Sequence, residues 1–255
     1  MSEFELKNQV AMITGASQGI GRGIAKVFAQ SRAKLVLVAR NQDKLRNVVE
    51  EIRSEGGEVI FVVCDVTSLC DMQTAVQKAI DAYGKIDILV NNAGTIDPIA
   101  KFLDSDPSEW AKAISVNVMG VYHGIRLVAE HMRKQGSGKI INMSSGAANS
   151  ALEGWSHYCS SKAAVKKLTE CANKELQAFG IDVFGLSPGT VHTELIDKVY
   201  ESKLNPVSRL DPSVHISTEW VGRAVRYLCS EDAKEFAGSD FSIKTEEGRR
   251  RAGLI

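Results

Sequence analysis

Short apolar runs alternate with longer segments of helical period along this chain, and that alternation is the mark of βα units wound around a parallel sheet. The runs predict strands near 9–14, 34–39, 58–64, 86–90, 138–143, 181–186 and 239–243. Helices are predicted between them, near 19–31, 42–56, 68–83, 107–134, 156–179 and 217–229. Leu35-Val-Leu-Val-Ala39 and Val59-Ile-Phe-Val-Val63 are apolar without a break, as strands must be when helices cover both faces of a sheet. The expected fold is therefore α/β and doubly wound, with about seven parallel strands. Two connections run long: one follows Gly94, and one spans Thr190 to His215, where Pro206 and Pro212 interrupt a weak helical period. Loops of that length in a compact domain usually carry function, and the segment 193–215 is expected to fold over a substrate as a lid.

A chain of 255 residues fits one α/β domain with an ample core. Lys plus Arg (31) equals Asp plus Glu (31), so no global field favours nucleic acid or an anionic membrane. The one basic cluster, Arg249-Arg250-Arg251, is flanked by Glu246 and Glu247 and reads as a solvated C-terminal segment. Five cysteines, at 64, 70, 159, 171 and 229, form no Cys-x-x-Cys pair, which argues against a disulfide framework and points to a reducing compartment. Met1 to Asn8 holds acidic residues and no apolar stretch, and no later apolar run approaches the roughly 20 residues of a bilayer span. A cytoplasmic protein without membrane or nucleic-acid partners is expected. The five histidines, at 123, 131, 157, 192 and 215, show no i, i+4 pairing, so no metal is expected; His157 is expected to border the pocket or solvent.

Between the first strand and its helix lies Thr14-Gly-Ala-Ser-Gln-Gly-Ile-Gly21. Glycines at 15, 19 and 21 let backbone approach a phosphate, and the helix N-terminus behind them offers free N–H groups and a positive dipole end. Downstream, Ser145, Tyr158 and Lys162 are spaced 13 and 4 residues apart. Residues at i and i+4 project from one helix face, and an ammonium near a phenol lowers its pKa from about 10. A serine hydroxyl from another element can bond the carbonyl oxygen that the tyrosine protonates. Ser144 is the neighbouring hydroxyl, but successive residues at a strand end point to opposite sides. This set describes carbonyl reduction or its reverse.

Taken together, these motifs resemble the short-chain dehydrogenase/reductase family over essentially the whole chain. Thr14 to Gly21 matches the family's glycine motif, Asn91-Asn-Ala-Gly94 its Asn-Asn-Ala-Gly, and Tyr158 to Lys162 its Tyr-x3-Lys. Ser145 matches the family serine, Asn117 the helix asparagine, and Pro188-Gly189 with Thr193 the turn beyond the sixth strand. The resemblance implies a Rossmann-type fold and a nicotinamide cofactor held by Gly15, Ser17, Gln18, Gly19, Ile20, Gly21, Arg40, Asp65, Val66, Asn91, Ala93, Gly94, Tyr158, Lys162, Pro188, Gly189, Val191 and Thr193. It implies catalysis by Tyr158 as proton donor, with Ser145 orienting the carbonyl, Lys162 depressing the phenol pKa, and Asn117 holding a water in a proton relay. Asn117 reads also as a buried amide satisfied by backbone, and Asp65 as a helix cap near Ser68.

Cofactor choice turns on the end of the second strand, where Ala39-Arg40 puts a guanidinium, in place of an acidic side chain, against the adenosine ribose. NADP (NADPH) is expected ahead of NAD, although Gln18 is not the basic residue that many NADP-dependent relatives carry there. The apolar segments Ile96, Pro98, Ile99, then Ala147 to Trp155, then Leu195, Ile196, Val199, Tyr200 and Leu204 suit a hydrophobic or aromatic ketone, an aldehyde or the matching secondary alcohol; Trp155 reads equally as core. Two alternatives stand beside this reading. A 3-oxoacyl-thioester reductase is one, but Ala237 to Gly248 lacks the Asp-Gly-Gly ending of many such relatives. A non-catalytic NADP sensor is the other. The resemblance also implies a homodimer or homotetramer joined through the helices near 107–134 and 156–179.

Overall fold

The computed structural model describes residues 5–255; Met1 to Phe4, part of the stretch read above for a leader, lie outside the described residues. Seven parallel strands form one sheet in the order β3-β2-β1-β4-β5-β6-β7. They are β1 Val10–Thr14, β2 Lys34–Ala39, β3 Glu58–Val63, β4 Ile88–Asn91, β5 Gly138–Met143, β6 Ile181–Ser187 and β7 Asp240–Ser242. The helices are α1 Gly19–Gln30, α2 Gln42–Ser54, α3 Leu69–Tyr83, α4 Pro107–Ile114, α5 Gly120–Gln135, α6 Ser156–Leu176, α7 Glu194–Ser202, α8 Thr218–Leu228 and α9 Glu246–Arg251.

Alternation along the strands builds two cores. Ala11, Ile13, Leu35 and Leu37 join Ile24, Phe28 and Val225 on one face, while Val10, Met12, Val36 and Val38 join Met72, Val128 and Ile140 on the other. Both faces are thus apolar, as the unbroken strands required. Side-chain caps set the helix starts: Asn41 accepts from Lys44 N, Ser68 from Asp71 N, and Asp106, ahead of Pro107, from the backbone N–H groups of Ser108 and Glu109. These acceptors satisfy first-turn donors that no intrahelical carbonyl reaches.

Three departures from the expected elements matter. The helix expected over 107–134 is divided by a π-helical turn at Ser115–Met119, and such turns have no compositional signature of their own. The connection from Thr190 to His215 contains α7 and two short 3₁₀ turns at Pro206–Arg209 and Pro212–Val214. Its ends are joined by a parallel bridge of Val191 to Ile216, with Ile216 N donating to Thr190 O at 3.0 Å. The arginine tail forms α9, where Arg250 pairs with Glu246, Arg251 with Glu235 at 2.9 Å, and Arg249 stacks over Trp220. Each of these guanidiniums is therefore engaged within the chain. Among the described residues, no helix is long and apolar enough to cross a membrane.

Candidate active site

Parallel strands end on one rim, and the strand order reverses direction between β1 and β4, which opens a crevice at that rim. A cavity of roughly 630 Å³ lies there, lined on one side by the glycine turn and Arg40 and on the other by Ser145, Tyr158 and Lys162. The sequence-predicted groups thus meet in one cleft.

On the nucleotide side, Gly15 has φ +65°, and a methyl group there would come within 2.8 Å of Ala93 Cα. A methyl on Gly21 would overlap the Gly15 carbonyl. Gly21 therefore lets α1 start hard against the turn and does not itself line the cleft, whereas Gly15, Ser17, Gln18, Gly19 and Ile20 do. The N-cap residue, Gln18, makes no side-chain cap, so the first-turn N–H groups of α1 have no side-chain acceptor and remain available to an anion. Gln18 instead donates to Glu194 Oε2 at 3.1 Å and accepts from Lys44 Nζ at 2.5 Å, a polar bridge from the turn to α7. Arg40 is exposed on the cleft wall beside Ala39 and Asn41.

Asn91 is a correction. It is buried, donates to Asn142 Oδ1 at 2.8 Å, and faces Gly124 of α5, away from the cleft. Its neighbour Asn92 takes the position, bonding Thr14 O at 2.9 Å while its backbone N–H donates to Thr14 Oγ1 at 3.0 Å. Strand alternation decides between them. Ala93, Gly94, Asp65 and Val66 line the cleft. Asp65 accepts from Thr67 N at 2.9 Å and leaves the capping of α3 to Ser68.

On the reaction side, β5 ends at Met143 and the two serines diverge as expected. Ser144 donates to Asp240 Oδ2 at 2.7 Å, while the Ser145 hydroxyl accepts from Ala147 N at 3.2 Å and lines the cleft together with Tyr158. Tyr158 and Lys162 share one face of α6, with Lys162 Nζ 5.5 Å from the phenol ring centroid. Lys162 is buried and donates to Met143 O at 2.7 Å. Burial pushes its ammonium down from 10.5 to about 8, against the opposing pull of Asp240. The expected depression of the phenol is corrected here: burial raises Tyr158 above its ordinary value of 10.0, opposed by the Ser145 hydrogen bond and reinforced by Cys159. Desolvation outweighs the neighbouring groups.

Asn117 lies in the π turn, 1% exposed, and does not line the cleft. Its amide accepts from Thr95 N at 2.8 Å and donates to Thr95 O and Ser161 Oγ at 2.9 and 3.2 Å, so both of its N–H groups are engaged within the chain. His157 is a second correction: it is buried, its Nε2 bonded to Ile96 O at 2.8 Å, pinning the segment after β4 instead of bordering the pocket. Pro188, Gly189, Val191 and Thr193 line the cleft, as do Ile96, Ala147, Leu152, Trp155, Leu195, Ile196 and Val199. Ile99 and Tyr200 pack behind this apolar patch. Sequence reasoning missed Glu194 and Lys244 on the lining; the second lies just past β7, and the rule that strand ends supply the rim would have found it.

An uncapped helix N-terminus, an exposed guanidinium at the end of β2 and a buried ammonium beside a phenol suit a nicotinamide dinucleotide and define a cofactor-dependent oxidoreductase. Residues 9–204 match the family model for short chain dehydrogenases. The 7alpha-hydroxysteroid dehydrogenase of Escherichia coli (strain K12) is 34% identical over 94% of this chain and 94% of its own length. The 2,5-dichloro-2,5-cyclohexadiene-1,4-diol dehydrogenase LinX of Sphingobium indicum is 32% identical over 93% of this chain and 95% of its own. Among solved structures, a short-chain type dehydrogenase/reductase from Mycobacterium marinum superposes with a TM-score of 0.87 at 32% identity, covering 94% of this chain and 95% of that one. The chain belongs to the short-chain dehydrogenase/reductase family, and as such is an NAD(P)-dependent enzyme acting on CH–OH or carbonyl groups.

Proposed function

We propose that the chain is an NADPH-dependent reductase of hydrophobic or aromatic ketones, with Tyr158 as the proton donor. The observation that carries this reading is a phenol that shares the cleft with Ser145, with the buried Lys162 ammonium 5.5 Å from its ring on the same helix face. A protonated phenol is the competent form of a general acid at neutral pH. Bound NADPH supplies the hydride that reaches the carbonyl carbon. Ser145 orients the carbonyl oxygen, Tyr158 delivers the proton to it, and Lys162 stabilises the phenolate that is left. Asn117 supports proton return through its backbone carbonyl, since its amide is engaged by Thr95 and Ser161. The apolar patch of Leu152, Trp155, Ile196 and Val199 favours an apolar substrate, and the segment 193–215 closes over it. The test is a carbonyl panel with NADPH followed by absorbance, and a preference for small polyols in the reverse direction would overturn the substrate reading. Retained NADPH binding without turnover of any carbonyl would favour the sensor alternative.

Preference for NADP rests on Arg40, which has no acidic side chain beside it at Ala39. Arg40→Ala is expected to weaken NADPH roughly ten- to a hundredfold, the worth of a charge-assisted bond to phosphate, with little effect on NADH. Ala39→Asp is expected to reverse the preference. Titration of both cofactors into the three proteins decides this, and equal affinity of the unmodified chain for NADH and NADPH would show that Arg40 does not reach the phosphate.

The assembly is a homodimer or homotetramer through α5 and α6, supported by Met119 and Tyr122, which stand exposed beside and on α5. Light scattering should give a multiple of the 27.7 kDa chain mass, and a monomer at assay concentration would refute it. Five free thiols support a cytoplasmic location.

A further inference from the structure

Lys244 stands two residues beyond the C-terminal end of β7, on the rim that also carries Ser145 after β5 and Gly189 after β6. Its place against these neighbours is tight. A methyl group on Gly189 would lie 2.9 Å from Lys244 Cγ, and one on Gly146 would lie 3.5 Å from Lys244 Nζ. The stem therefore runs along Gly189, and the ammonium reaches the residue that follows Ser145. Gly146, Gly189 and Lys244 all line the cavity.

No carboxylate near Lys244 in sequence neutralises it. Glu246 pairs with Arg250, and Asp240 Oδ2 accepts from Ser144 at 2.7 Å. Among the described residues the Lys244 ammonium has neither an ion pair nor a hydrogen bond, while its backbone N–H donates to Ser242 Oγ at 3.3 Å. The other cations on the lining are committed elsewhere: Lys162 is buried against Met143 O, and Arg40 belongs to the far end of the cleft past β2. The substrate half therefore combines an apolar wall with one exposed ammonium close to the hydroxyl pair that receives a carbonyl.

We propose that Lys244 selects substrates bearing a carboxylate, so that the substrate class is an oxo acid with an apolar body, or the matching hydroxy acid. This rests on the oxidoreductase reading of the same site and narrows it. The carbonyl sits at Tyr158 and Ser145, the apolar body lies along Trp155 and Val199, and the carboxylate turns back to Lys244. The reduction balances as before, since hydride goes to the carbonyl carbon, a proton to its oxygen, and NADPH becomes NADP⁺; the carboxylate takes no part in bond exchange.

The test compares 4-oxo-4-phenylbutanoate with 4-oxo-4-phenylbutanamide, which differ in charge and hardly in shape. Steady-state reduction by NADPH is measured for the unmodified chain, Lys244→Met and Lys244→Arg. A partly exposed charge-assisted contact gives an expected preference for the acid of roughly tenfold in kcat/KM, expressed in KM. Lys244→Met should abolish that preference and Lys244→Arg should keep it. Equal use of acid and amide by the unmodified chain overturns the proposal, as does a Lys244→Met variant that weakens both compounds alike or weakens NADPH itself. Titrating the two compounds into the NADPH complex, followed by nicotinamide fluorescence, reads discrimination without turnover. Acid-selective binding there with no reduction of any carbonyl would count against the reductase reading alone, and binding of neither compound would count against Lys244.

Discussion

Tyr158→Phe is expected to leave NADPH affinity nearly intact while lowering turnover by roughly 10²–10⁴-fold, the contribution of general acid catalysis. The substitution removes one oxygen and little packing area. The ring keeps its edge contact with Trp155, whose centroid lies 5.5 Å away, so the pocket wall should hold its shape. The loss belongs in kcat, because the proton moves in the transition state and not in the ground-state complex. Stopped-flow absorbance on a good ketone, together with a fluorescence titration of NADPH, separates the two effects. Reduction at a near-unmodified rate would remove Tyr158 from the role of donor.

Lys162→Met should be the more damaging change, since turnover and cofactor affinity are both expected to fall. In the proposed mechanism the buried ammonium supports the phenolate that forms as the proton leaves, and it is expected to hold the nicotinamide ribose as well. Its pH signature is distinctive. With the ammonium lowered to about 8 and the phenol raised above 10.0, the first group to lose its proton as pH rises is the lysine. Reduction by the unmodified enzyme is therefore expected to decline above about pH 8, and the variant's residual activity should lack that limb. Stability should move the other way. A lysine whose pKa is depressed in the folded state disfavours folding most below about 8, and this cost fades as pH rises from there toward 10.5. Replacing the ammonium with a thioether of similar length, even at the loss of the bond to Met143 O, is expected not to lower the melting temperature at pH 7. Calorimetry checks this, and a drop of more than about 3 °C, the order of 1 kcal/mol for a domain of this size, would show that the lysine is a structural support.

Much of this was readable from periodicity and spacing. Strands buried on both faces announce themselves as unbroken apolar runs, and the sheet followed from them. Ser145, Tyr158 and Lys162 were legible because spacing along a strand end and a helix face is a geometric statement. Other features depend on contacts that no local pattern records. Asn91 and Asn92 are adjacent and chemically identical, so only the exact end of β4 says which one meets Thr14. The π turn around Asn117 inserts a residue into an otherwise regular helix without changing its composition. For α7 the helical signal was weak because only Ile196 and Val199 are buried. The sign of the phenol's pKa shift was missed for a physical reason: the lysine's charge was countable from spacing, but the depth at which both groups sit was not. Lys244 escaped notice because it lies about eighty residues from Lys162 in the chain, and only the β6 to β7 pairing brings it to the same rim.

The bridge of Val191 to Ile216 pins the two ends of the excursion beside each other. Its two ends meet whatever lies between them, and the entropic penalty for lengthening such a loop grows only slowly, by about 0.6 kcal/mol per doubling. The sheet is thus insulated from changes in the length of the excursion, whereas the glycine turn stays tied to its start through Gln18 and Glu194. A chain built this way can exchange the substrate-facing part of the excursion, as a graft over 195–215, while Val191, Thr193 and Glu194 stay with the redox half. New substrate ranges can then arise by transplantation without any redesign of the dinucleotide cradle.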